Sequence, residues 1–72
     1  MIQNVDLSAE LKRLGFTQGN RMKLYGDEFE FLGGPIVVAD NVVFVDATEK
    51  KSGQRRRVRV PLPIVRLASR AA

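Results

Sequence analysis

Cysteine and histidine are both missing from this 72-residue chain. Without cysteine, neither a disulfide nor a thiolate zinc site can supplement the core. With histidine gone as well, nucleophilic catalysis is left with Ser-Lys or carboxylate arrangements. The serines do not suggest one: Ser8, Ser52 and Ser69 fall at a helix start, a turn and a tail, where serine bonds the local backbone. Asp27, Glu28 and Glu30 cluster, but in a strand Glu28 and Glu30 share a face beside Lys23. That pattern reads as a solvated, salt-bridged surface, and an oxygen-ligand metal site is remote. Gly33-Gly34 runs into Pro35 and a strand, so the helix N-terminus that captures phosphate in glycine-rich loops is not there. No catalysis, metal or cofactor is expected.

Long apolar runs are missing too, and none approaches the roughly 20 residues that span a bilayer. Met1 to Leu14 carries Asp6 and Glu10 and lacks an apolar run, so it does not read as a secretory signal. A cytoplasmic location is expected.

The last shortage is of negative charge in the second half. From Lys50 onward there are eight basic residues and no acid, a net of +8, whereas residues 1–49 hold four basic and eight acidic residues, a net of −4. Such asymmetry suggests an anionic partner for the C-terminal part, or two halves that face and partly neutralise each other.

Apolar residues make up 44% and charged residues 28%, the balance of a folded chain rather than a disordered one. At this length residues 1–72 form one domain, near the smallest size that a single core sustains. Asp6 can cap a helix over residues 6–14, on which Leu7, Leu11 and Leu14 form one apolar stripe and Gly15 ends the element.

Three hairpins follow the connector Phe16 to Asn20. The first, Arg21 to Leu32, turns at Gly26-Asp27, with Leu24 against Phe29, Met22 against Phe31, and Lys23 meeting Glu30. The second turns at Asp40-Asn41, joining Ile36–Ala39 to Val42 onward. In it Val38 faces Val43 and Ile36 faces Val45, while Val37 faces Phe44 on the other side. That second apolar face needs a cover: the leucine stripe, the curl of a barrel, or another subunit.

The third and longest hairpin, Val42 to Leu62, closes at Ser52-Gly53. Ala47, Val45 and Val43 then oppose Val58, Val60 and Leu62, with Asp46 opposite Arg59, Thr48 opposite Arg57 and Glu49 opposite Arg56. A slip of one residue would set valines against arginines, which is why alternation selects the register.

Pro61-Leu62-Pro63 ends regular pairing. Ile64 to Leu67 reads either as a short closing strand after one helical turn or as the start of a terminal helix, and residues 69–72 read as a frayed tail.

The fold class is mainly β: a small, strongly bent antiparallel meander of about five strands with a short N-terminal helix. Over residues 20–67 its layout resembles that of SH3-like barrels, in which a helical turn precedes the last strand. The likeness is one of architecture and implies no function.

Arg55, Arg57 and Arg59 alternate along a strand and so project from one face, about 6.6 Å apart. Lys50 and Lys51 add charge at the hairpin tip, Arg66 joins from the last segment, and Tyr25 supplies an exposed ring for base stacking. Guanidiniums in a row grip phosphates through bidentate bonds. The plainer alternative is a ladder of cross-strand ion pairs that also guards the sheet edge. Two functions follow as expectations. One is a non-catalytic module binding RNA or single strands. The other is a protein-interaction or homodimeric, self-assembling module whose contact patch holds Val37 and Phe44. Attachment to a membrane surface is a distant third, because the arginine face carries no interleaved apolar residues.

Overall fold

The computed structural model of the chain describes residues 6–71, and the side chains of residues 7–70. Helix α1 (Asp6–Arg13) is followed by β1 (Arg21–Leu24), β2 (Asp27–Phe31), β3 (Ile36–Ala39), β4 (Val42–Glu49), β5 (Arg55–Arg59) and a second helix, α2 (Leu62–Ala71). The capping carboxylate expected at Asp6 lies outside the described side chains.

Strand β4 is the spine of a five-stranded antiparallel sheet. Residues 44–48 of β4 pair with β5, residues 47–49 with β2 and residues 42–44 with β3. Because both other pairings overlap that of β5 on β4, β2 and β3 must share the opposite edge. Together they form one long strand broken at 32–35, where the Leu32 N–H still donates to the Asp46 carbonyl at 2.8 Å. The Gly33-Gly34-Pro35 sequence accounts for the break. β1 lies beyond β2, and among the described residues nothing pairs β5 with β1. The sheet is not closed, so the SH3-like barrel layout finds no confirmation.

Two of the expected registers are corrected by two residues. The first hairpin turns at Tyr25-Gly26, not Gly26-Asp27, with φ of 54° and 84°. Positive φ at both central residues is the backbone of a type I′ turn, whose twist matches that of paired strands. Leu24 therefore lies opposite Asp27, Met22 opposite Phe29, Lys23 opposite Glu28 and Arg21 opposite Glu30.

In the long hairpin the turn is the wider loop Lys50-Lys51-Ser52-Gly53, in which the Gly53 N–H donates to the Glu49 carbonyl at 2.7 Å and Gly53 adopts φ 74°. The Ser52 hydroxyl ties the loop down, donating to the Glu49 carboxylate at 2.8 Å and accepting from the Gln54 N–H at 3.2 Å. These side-chain bonds favour four residues over two. Val45 consequently opposes Val58, Asp46 opposes Arg57, Thr48 opposes Arg55 and Phe44 opposes Arg59. Since both shifts are even, every side chain keeps its face.

The middle hairpin turns at Asp40-Asn41 as expected, with Ala39 opposite Val42 and Asn41 at φ 61°. A bulge between Val37 and Ala39 then shifts the ladder, so Val37 pairs with Val43 and Ile36 with Phe44. The expected Val37–Phe44 apposition is thereby replaced.

The core is wholly apolar among the described residues. Leu11, Phe16, Phe31, Val43, Val45, Val60 and Val65 are its largest fully buried side chains. Burial of each such side chain contributes about 1.5–3 kcal/mol. Of the leucine stripe, Leu11 is buried, Leu7 packs against the core, and Leu14 stays 40% exposed. Phe16 stacks on Phe31 with centroids 5.1 Å apart. Between α1 and this ring, Gly15 sits at φ 117°, where a Cβ would come within 2.8 Å of the Met22 methyl.

Of the two readings open after Pro63, the helix is the one that forms. The Pro61 carbonyl accepts from Ile64 and Val65, and Pro63 falls in the first turn, where a missing N–H costs nothing. Val65 and Ala68 are buried, and α2 packs on α1 and on β4. Packing of this stripe carries the helix through Ser69 and Arg70 to Ala71, where a frayed tail was expected.

Candidate nucleic-acid interface

Alternation in β5 sends Val58 inward while Arg55, Arg57 and Arg59 stand exposed on the outer face of the sheet. Val60, just past the strand, is also buried. Arg56 projects on the inner side instead and reaches diagonally to the half-buried Glu49, 3.5 Å away. The row of arginines expected from the sequence thus forms on one surface, although its cross-strand neighbours differ from those expected.

Its members are not equivalent. Arg57 Nε donates to Asp46 Oδ1 at 2.9 Å, and its Nη2 reaches Oδ2 at 3.4 Å. The hydrogen bond from Arg57 holds the Asp46 carboxyl below the usual carboxylate range; desolvation opposes it, and the guanidinium charge adds the smallest lowering effect. The same bond raises Arg57 above its ordinary value. Arg59 makes a long contact, Nη2 to the Asn41 carbonyl at 3.4 Å. Arg55 has no carboxylate partner among the described ion pairs, nor do the exposed Lys50 and Lys51. A shallow cleft of about 370 Å³ runs beside the row, lined by Leu32, Gly33, Asp46 and residues 55–57.

Tyr25 belongs to the turn itself rather than standing beside it, and is 64% exposed. Its hydroxyl donates to the Arg59 carbonyl at 2.6 Å. Val60 N–H donates to Val43, so residues of even number in this stretch bond toward β4, and the Arg59 carbonyl points to the free edge of β5. The phenol therefore caps one unpaired edge group at the end of the arginine row, leaving the ring exposed.

Arg66 does not join this surface. It projects from α2 into a different cleft, with Pro63, Ser69 and Arg70. Arg70 was not singled out from the sequence, and its signal was the spacing of four from Arg66, which is meaningful only once residues 62–71 are helical. The other expected patch is partial. Val37 is 46% and Val38 56% exposed on the β3 edge, while Phe44 is half-buried on the side of its neighbour Arg59. Leu32 adds to the apolar surface at 38% exposure.

Among the described residues no helix is long and apolar enough to cross a membrane. No protein-family model, curated protein or solved structure matches the chain.

Proposed function

We propose that the chain is a non-catalytic module that binds RNA or single-stranded nucleic acid across the outer face of its sheet. The observation that carries this reading is the exposed row of Arg55, Arg57 and Arg59, flanked by Lys50 and Lys51 and countered in contact by one carboxylate, Asp46. The guanidiniums grip phosphates, and the exposed ring of Tyr25 at the end of the row stacks on a base. Single strands suit this surface because it is a sheet, and among the described residues no helix lies beside the row to enter a major groove. Fluorescence anisotropy with labelled RNA and DNA oligonucleotides tests it. Binding that weakens with salt, and is lost when the three arginines become serine, is the expected result. Absence of binding at low salt, or indifference to those substitutions, rejects the reading.

A second reading is self-association through the β3 edge, favoured by the exposure of Val37 and Val38 beside an unpaired strand margin. Light scattering distinguishes it. A dimer that Val37→Asp dissociates supports the reading, and a monomer at high concentration removes it.

A further inference from the structure

We infer that the protein has a second, separate phosphate-binding surface on α2 and therefore holds two nucleic-acid segments at once. The inference rests on the binding reading above and extends it to a second occupant.

The basic residues from Lys50 onward do not share one side of the molecule. Val65 and Ala68 turn into the same buried cluster as Val43, Val45, Val58 and Val60. At 3.6 residues per turn, Arg66 and Arg70 lie one turn apart on the face of α2 directed away from that cluster, and both are exposed. The arginines of β5 project from the other side of the sheet. The core thus separates Arg55, Arg57 and Arg59 from the α2 pair. A strand lying along the arginine row of the sheet leaves the α2 pair free for a second one.

The α2 pair is equipped for an anion. Arg66 and Arg70, with Ser69 and Pro63, line a shallow cleft of about 590 Å³. Neither arginine has a carboxylate partner among the described ion pairs, whereas Arg13, Arg21, Arg56 and Arg57 each hold one. Two guanidiniums at this spacing, with the Ser69 hydroxyl lining the same cleft, can donate to adjacent phosphates of a backbone and carry no base readout. With fewer cations than the sheet face, this site is the weaker one and fills second. Its occupancy brings two strands together on a single protein chain.

The test uses single-stranded oligonucleotides of about ten nucleotides, within the reach of one small binding surface. One batch carries a fluorescence donor and another an acceptor, mixed with the full chain at low salt. Energy transfer on adding protein, together with a native mass spectrum showing one chain with two oligonucleotides, is the expected result. R66S/R70S should abolish both signals and leave one-oligonucleotide binding intact by anisotropy, while R66K/R70K retains them. A complex that stops at one oligonucleotide per chain overturns bivalency alone, and so does a two-oligonucleotide complex that survives R66S/R70S. No binding of any oligonucleotide overturns both bivalency and the functional reading beneath it.

Discussion

Along β4 and β5 the two sides of one ribbon obey different rules. On the inner side Val43, Val45, Ala47, Val58 and Val60 meet Val65, Ala68 and Leu11 with almost no exposure. On the outer side the half-buried Phe44, Asp46 and Thr48 face the exposed Arg59, Arg57 and Arg55. The inner surface is held by shape and exclusion of solvent, and tolerates neither voids nor extra bulk. The outer surface is held by long side chains whose pairings are weak and screened. Stability and ligand affinity should therefore respond to different substitutions on the same two strands, and that separation can be tested from both sides.

The largest expected effect is on the inner side. Phe31→Ala removes a buried ring stacked on Phe16 and should cost about 3–5 kcal/mol, read as a fall in the urea midpoint followed by circular dichroism. Such a loss is a large share of the total stability of a chain this short. On the outer side, Arg55, Arg57 and Arg59 changed together to serine should leave the thermal midpoint nearly unmoved. The slope of log affinity against log salt should then fall by about 2, at roughly 0.7 per phosphate contact for a single strand. A large stability loss from this triple change would mean that the row is a structural ladder rather than a free surface.

Gly15→Ala comes next. Its cost of about 1–3 kcal/mol lies in the backbone, since the Met22 methyl can swing aside while φ 117° cannot be relieved. Tyr25→Phe deletes the clasp on the Arg59 carbonyl and should cost about 1 kcal/mol or less, measurable by chemical denaturation. Asp46→Asn should be the gentlest change and should act in the opposite sense on binding. It removes the carboxylate that competes with phosphate for Arg57, so oligonucleotide affinity rises. In the unsubstituted protein the Asp46 carboxyl is lowered by its Arg57 bond. Its contribution to stability is therefore present above the ordinary carboxylate range and fades as pH falls through the lowered value. An acid titration of the two proteins should converge at low pH.

How much of this was legible in the residues follows from periodicity. Alternation of period two assigns each side chain to a face, and for that reason the arginine row and the valines of β4 and β5 fall where the sequence puts them, whereas Val38, expected inward opposite Val43, lies exposed at the bulge. The same alternation cannot distinguish registers that differ by two, so both long pairings came out shifted. Turn chemistry decides between them, and here it lay in unconventional places. Tyr25 accepts a left-handed φ that tyrosine rarely adopts, and Ser52 bonds Glu49 across a wider loop. The Val38 bulge has no mark of its own among four consecutive small or β-branched residues. Arg66 was grouped with the row because the last segment was open between strand and helix. Only the helix, seated on the inner side by Val65 and Ala68, sends it the other way.

The clasp at the margin of β5 has an optical consequence. Tyr25 is the sole tyrosine and there is no tryptophan. All long-wavelength ultraviolet emission of the unlabelled protein therefore originates from the ring that bridges the first hairpin to the end of the arginine row. Its intensity is an intrinsic gauge of whether that junction is open or shut, and of anything aromatic that comes to rest against it.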